Sequence, residues 1–323
     1  MASPAAVERP HAPAKPCKPL GLPARSGDGS GWTRQMAAAS QLRYALSNFG
    51  TARFGRARVI PTVGPTSTSR SRLLTAVLMT VPLIMACQPA APTDSQTHSP
   101  APAAIDQGIA SISFDDGTIG QYTHARPVLR ANEMPATFYL VSDALGWGSI
   151  TIDSEQAREL LEEGHEIGNH TRTHKDLADL TPAQVSDEFA GAQDAFESQV
   201  GVRPTTCAYP YGSSTAAVMA EAQKQFEGCR STRGGLNERG RLVTYDLFSH
   251  YVLTTTTAAE IRAAAERARN SKSWIIFVYH DVDPSPQEQD DVTPELFAEH
   301  IDAIVSTGIA VETVESALAG MRE

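Results

Sequence analysis

Three places in the chain set side chains of the right type beside one another for hydrolytic chemistry. Asp115 and Asp116 are adjacent and followed by Gly117, His170 and His174 stand four residues apart, and His280 and Asp281 follow the apolar run WIIFVY. Adjacent carboxylates on extended backbone point different ways, so one can hold a cation while the other faces a substrate. A His-x-x-x-His pair suits a metal on a helix face or a rigid loop. Two imidazoles and one carboxylate, with open positions left over, fit Zn²⁺ or another divalent first-row ion. A histidine at the mouth of a buried strand suits general acid work near neutral pH. Each feature also has a plain structural alternative. Asp-Asp-Gly is a common turn or helix cap, two histidines can be surface residues, and a histidine after a core strand can be a packed one.

The elements around these residues decide between the alternatives. Ile109–Phe114 (IASISF) is a short apolar run with its polar residues at the C-terminal end, as a buried strand would have. Further strands are expected at 136–141, 166–169, 205–209, 229–232, 247–253, 274–279 and 309–311. Helices are expected at 154–163, 181–200, 213–226, 258–270, 293–306 and 313–319. Gly164 stops the first of these helices, and Thr181-Pro182-Ala183-Gln184 opens the second with Pro at N1 and a capping-box Gln. The continuous apolar run 274–279 reads as a fully buried parallel strand. Alternating strands and helices indicate a parallel α/β fold, and a barrel fits better than an open sheet. FDDGTIG after the first strand is not a Gly-rich phosphate loop, which argues against a dinucleotide fold. In a barrel, reactive residues sit at the C-terminal ends of strands. Asp115-Asp116, His170 with His174, Tyr209-Pro210-Tyr211-Gly212 and His280-Asp281 all occupy such ends.

Taken together and in this order, these segments resemble the polysaccharide deacetylases with a NodB-homology domain, also called carbohydrate esterase family 4. SFDDG resembles the first motif, GHEIGNHTRTH the second almost verbatim, AYPYG the third and WIIFVYHDV the last. The ending TPELFAEHIDAIVSTGIAVETVESAL is similar to the family's C-terminal helix and strand. The resemblance covers about residues 108–320 and implies an irregular (β/α)7-type barrel forming a single catalytic domain, 108–323. It implies that Asp116, His170 and His174 bind a divalent metal, most often Zn²⁺, with Co²⁺, Ni²⁺ or Mn²⁺ as alternatives. Asp115 would be the base on the attacking water, whose pKa a metal lowers. The backbone N–H of Tyr211, with the metal, would stabilise the oxyanion. His280 would protonate the leaving amine. The implied reaction removes acetyl groups from N-acetylated or O-acetylated polysaccharide. The alternatives are hydrolysis of another C–N amide or acetyl ester on the same fold, and a non-catalytic carbohydrate-binding lipoprotein.

Two departures from the family pattern stand out. The third motif often begins with an Arg that pairs with the base, and here that position is Ala208. Arg230 and Arg233 are candidates to replace it. The fourth motif, an Asp-containing segment that tunes the catalytic histidine, is replaced by CRSTRGGLNERG, leaving Asp246 or Asp281 as candidates for that duty. Trp147 could stack on a sugar ring or simply pack. His165 reads as a packing residue beside the site, and His124, His250 and His300 as surface or packing residues.

Composition separates the chain into two parts. The first 104 residues carry 11 Lys plus Arg against 3 Asp plus Glu, and the remainder 16 against 34, within 323 residues of which 41% are apolar. An acidic folded part argues against nucleic acid as a partner. Residues 1–69, rich in Ala, Pro, Arg, Ser and Gly, read as disordered, and the native start is expected downstream of Met1, near Val63. Arg70 and Arg72 precede a 14-residue apolar stretch ending in IMAC. It is shorter than the roughly 20 residues of a membrane span and resembles a bacterial lipobox. Residues 70–87 are therefore expected to be a lipoprotein signal peptide with Cys87 as the lipidated residue, and 88–107 a Pro/Ala/Ser/Thr-rich tether. An acetylated poly- or oligosaccharide and a membrane reached through the lipid anchor are the expected partners, for an exported protein facing the periplasm or cell exterior. Nothing in the sequence sets an oligomeric state. Cys207 and Cys229 can form a disulfide or be two buried thiols.

Overall fold

The computed structural model describes residues 107–322, so the expected disordered segment, signal peptide, Cys87 and nearly all of the tether lie outside the described residues. Eight strands are all parallel to their neighbours: β1 (Ile109–Phe114), β2 (Thr137–Leu140), β3 (Glu166–Asn169), β4 (Thr206–Ala208), β5 (Gly228–Gly234), β6 (Leu247–Tyr251), β7 (Trp274–Tyr279) and β8 (Ala310–Val311). They run in the order β2-β3-β4-β5-β6-β7-β1-β8, and an additional β1–β2 pairing closes the first seven into a ring. β8 lies outside the ring and pairs only with the start of β1, at Ile109 and Ala110. The barrel expected from the alternating pattern is thus present.

Among the described residues there are seven α-helices, six between strands and the last after β8: α1 (Arg126–Ala131), α2 (Ser154–Glu162), α3 (Pro182–Gln199), α4 (Ala216–Ala222), α5 (Ala258–Asn270), α6 (Pro294–Thr307) and α7 (Val314–Arg322). The expected cap of α3 is realised: Thr181 and Gln184 form a reciprocal capping box with Pro at the first turn. Asp153 caps α2, and Thr257 α5, in the same way. The helix expected at 213–226 is shorter, because the chain first completes a left-handed turn at Tyr211 and Gly212 and then restarts at the Thr215 cap. A Cβ on Gly212 would stand 2.1 Å from Thr232 Oγ1, so only glycine fits this close approach. The short helix α1, absent from the sequence reading, follows a turn at Gln121–Ala125.

Strand alternation builds two cores. Ile275, Phe277 and Tyr279 of β7 face outward and pack with α5 and α6 through Ala264, Ala265, Ala268, Phe297 and Ile301. Trp274 and Ile276 face inward with Tyr139, Ala208 and Leu247, and Val314, Leu318 and Met321 of α7 cover the interior near the strands' N-terminal ends. That leaves the C-terminal ends open for chemistry. A third cluster under α3 and α4 contains the disulfide Cys207–Cys229, which joins directly paired residues of β4 and β5 and decides between the two states open to these cysteines.

Candidate functional site

β1 ends at Phe114, and the next two residues diverge as their alternation requires. Asp115 is 3% exposed, while Asp116 takes a left-handed backbone (φ 72) continued by Gly117 (φ 71). β3 ends at Asn169 and delivers His170, after which the chain folds back so that His174 returns to the same place. The ligand atoms of Asp116, His170 and His174 lie within 4.8 Å of one another. His174 Nε2 is 3.1 Å and His170 Nε2 3.4 Å from Asp116 Oδ1.

These contacts suit a cation. His170 Nδ1 is 2.9 Å from the carbonyl of Ala208, so Nδ1 carries the proton and donates it, leaving the Nε2 lone pair aimed at the carboxylate. A lone pair facing Asp116 Oδ1 needs a proton or a metal ion between them. Asp116 Oδ1 is buried and accepts no hydrogen bond from the described residues. Burial would raise the Asp116 pKa, but His174 and His170 outweigh it and hold this carboxyl well below its usual range. Burial would likewise lower His170, and Asp115 followed by Asp116 reverses this and raises it. The donor set and its packing therefore fit a divalent metal of the borderline class.

Asp115 has a different partner. The guanidinium of Arg230, itself fully buried on β5, pairs with Asp115 Oδ1 and stands over the ring of Tyr139, 4.9 Å from its centroid. Ala208 and Arg230 are cross-strand partners in the β4–β5 register, so the arginine enters from the strand beside the one where the family pattern has it. Burial acts to raise the Asp115 pKa, and Arg230, His170 and His280 together bring it below the ordinary value. Asp115 is ionised at neutral pH and can accept a proton. Arg233, the other candidate, pairs instead with Asp246, which also accepts from Ser214 Oγ. Its guanidinium stacks on Phe248. That arrangement takes Arg233 away from Asp115 and commits Asp246 elsewhere than His280.

His280 follows β7 and is close enough to act electrostatically on both Asp115 and Asp116. Its Nδ1 is 3.7 Å from Asp290 Oδ2 and its Nε2 3.4 Å from the Tyr251 hydroxyl, which donates to the same Asp290 oxygen at 2.6 Å. Asp290, at ion-pair and not hydrogen-bond distance, is the carboxylate beside His280 in place of Asp246. Asp281 accepts from Thr118 Oγ1 and from the Val282 N–H. Asp290 lies in an irregular loop with no pattern to mark it, whereas Tyr251 could have been noticed as a polar residue closing β6. Gln121 was also missed. Its buried amide donates to the carbonyls of both Asp115 and His280 and ties the ends of β1 and β7 together.

Tyr211 has a left-handed backbone (φ 58) and lays its ring edge-on to His174, 4.9 Å between centroids. At 59% exposure it is the most exposed large apolar side chain among the described residues. Trp147, also exposed, sits on a loop whose next residues, 150–152, bond to 117–119 directly after Asp116. Both aromatics are at the open end of the barrel. His165 and His300 are packing residues: His165 Nδ1 accepts from the Ala136 N–H, and His300 Nε2 bonds the Thr256 carbonyl.

Comparison with known proteins finds the following similarities. The family model for polysaccharide deacetylase matches residues 104–226. A chitin deacetylase from Pestalotiopsis sp is 33% identical over 110 residues, 34% of this chain and 36% of that one. A chitooligosaccharide deacetylase from Bradyrhizobium sp. (strain ANU 289) is 35% identical over 115 residues, 35% of this chain and 50% of that one. A chitin deacetylase from Colletotrichum lindemuthianum is 27% identical over 216 residues, 65% of this chain and 79% of that one. The chain spans half or less of the length of the first two.

Proposed function

We propose that this chain, which matches the polysaccharide deacetylase family model over residues 104–226 and is similar to deacetylases, is a metal-dependent hydrolase removing acetyl groups from an acetylated poly- or oligosaccharide. One observation carries the reading: a half-buried carboxylate and two buried imidazoles converge within 4.8 Å, with an arginine-paired second carboxylate beside them. Asp116, His170 and His174 hold a divalent ion, Zn²⁺ by its donor preference. When bound, that ion acidifies a water and polarises the acyl carbonyl. Asp115, ionised under Arg230, takes the proton from the attacking water. The peptide N–H of Tyr211 donates to the developing oxyanion. His280, oriented by Asp290 and Tyr251, gives its proton to the departing nitrogen, because an amide anion is too basic to leave unprotonated. Tyr211 and Trp147 offer apolar faces to the sugar.

The reading includes export. The disulfide Cys207–Cys229 fits an oxidising compartment, as do the basic-then-apolar segment and Cys87 as a lipid anchor. No helix among the described residues is long and apolar enough to cross a membrane.

Acetate release from chitin oligomers, peptidoglycan and acetylated xylan, measured with added Zn²⁺, tests the reaction and sorts the substrate. Release from at least one, and its loss in Asp115→Asn, is expected. Wild-type rates in Asp115→Asn would remove the assigned base. No release from any of the three would point to another amide or ester, or to carbohydrate binding alone.

A further inference from the structure

We infer that Glu188, on α3 and outside the ligand set, is a positioning residue that fixes the loop carrying His174 and thereby sets the affinity of the metal cradle. This rests on the metal-holding reading above. The loop needs an external hold. Between His170 and His174 the backbone turns left-handed twice, at Thr171 (φ 69) and at His174 itself (φ 57), and neither is glycine. Such conformations persist only where surrounding bonds over-determine them.

Two of those bonds are internal. The Thr171 N–H donates to Asn169 Oδ1 at 2.8 Å, and the His174 N–H to Thr171 Oγ1 at 3.0 Å. The Ser142 and Asp143 N–H groups donate to the Thr171 and Arg172 carbonyls at 3.2 and 3.0 Å, and the hold on the residues flanking His174 comes from α3. Glu188 accepts the Thr173 N–H on Oε2 at 2.8 Å and the Thr173 hydroxyl on Oε1 at 2.6 Å, so both oxygens grip the residue directly before His174. Lys175, directly after it, stands 3.6 Å from Oε1. The next residue on α3, Phe189, accepts from Asn169 Nδ2 at 3.3 Å. One helix turn thus pins both ends of the His170–His174 segment.

Glu188 is only 3% exposed, on the helix stripe formed by Val185, Phe189, Ala192 and Phe196. A carboxylate there is costly to bury without strong partners. Its bidentate grip on a main-chain amide and a hydroxyl is the partnership that keeps it. Outer contacts of this kind hold metal ligands in place, and removing one commonly weakens binding about 10–100-fold.

The test is Zn²⁺ affinity of the full chain, stripped of metal and titrated in competition with a chromophoric chelator. Glu188→Gln keeps the volume but turns one acceptor into a donor facing Thr173, and is expected to bind Zn²⁺ about 10–100-fold more weakly. Thr173→Val removes only the hydroxyl bond and is expected to weaken binding several-fold, which keeps the test available if Glu188→Gln fails to fold. Glu197→Gln, on the exposed side of the same helix, is expected to bind as wild type does. The Tm gap between Glu188→Gln and wild type should be wider with saturating Zn²⁺ than without it, which a purely structural role would not produce. Wild-type affinity in Glu188→Gln and Thr173→Val, with affinity lost in Asp116→Asn, overturns the clamp and leaves the metal reading intact. A wild-type chain that takes up no Zn²⁺ overturns both.

Discussion

The proposed metal cradle and the proposed acid–base pair occupy the same barrel mouth but are supported differently. Within the His170–His174 loop the bonds are short in sequence, Asn169 to Thr171, Thr171 to His174 and Thr173 to Glu188 across 15 residues, and longer ties run to Ala208, Ser142 and Asp143. Asp115 instead depends on Arg230, 115 residues away, and His280 on Tyr251 of β6, 29 residues away, as well as on Asp290 in the loop after β7. The His170–His174 loop is a locally bonded unit seated on α3, and Asp116 reaches it from the end of β1. The acid–base pair exists only when β1, β5, β6 and β7 have closed into the barrel. Changes to the first should show in metal affinity, and changes to the second in pH profile and global stability.

The sharpest separation is expected from Asp115→Asn. It should lower kcat by about 10²–10⁴-fold, the usual worth of a positioned base, while Zn²⁺ affinity in a chelator competition stays near wild type. Comparable loss of both would merge the two regions into one.

Arg230→Met comes next. It leaves the Asp115 carboxylate buried without its cation, a loss of about 3–5 kcal/mol in denaturant unfolding. Because Arg230 holds the Asp115 pKa down, its removal should move the acid limb of kcat/KM to higher pH. An unmoved limb would separate the ion pair from the base function.

Asp290→Asn and Tyr251→Phe remove the partners of His280. Each should reduce kcat by roughly tenfold, a fraction of the about 10²–10⁴-fold that a positioned acid is worth, and leave Zn²⁺ binding unchanged. A loss of metal from either variant would contradict the division.

The smallest effect concerns β3, which carries the cradle. Burial lowers the pKa of His165 to about 4, so its folded value lies below the unfolded one. Its contribution to stability is then complete above the unfolded pKa of about 6.5 and is lost as pH falls through about 4. Between pH 7 and 5 the metal-free wild type should lose roughly 5 °C more in Tm than His165→Gln. An equal loss would mean His165 does not couple to folding.

The same contrast explains what the sequence disclosed. Asp115, Asp116, His170 and His174 lie in short strings where strand ends and spacing are visible, and the alternating pattern of runs such as 274–279 was enough to expect a barrel. The arginine serving Asp115 was narrowed to Arg230 or Arg233, and only the β4–β5 register decides between them. Asp290 carried no signal, because an irregular loop has no period and its meeting with His280 depends on how that loop folds back. Glu188 did carry one: a lone carboxylate on an apolar helix stripe between Val185 and Phe189 needs a buried partner.

The central claim is that a metal held by Asp116, His170 and His174 makes this chain a deacetylase. Its most direct test measures bound Zn²⁺ and acetate release from N-acetylated oligosaccharide on the same preparations of wild type and Asp116→Asn, before chelation, after chelation and after Zn²⁺ is restored. The wild type should bind one Zn²⁺ per chain and release acetate, lose both on chelation and regain both, while Asp116→Asn shows neither. Acetate release that survives chelation, or that persists in Asp116→Asn, would contradict the account.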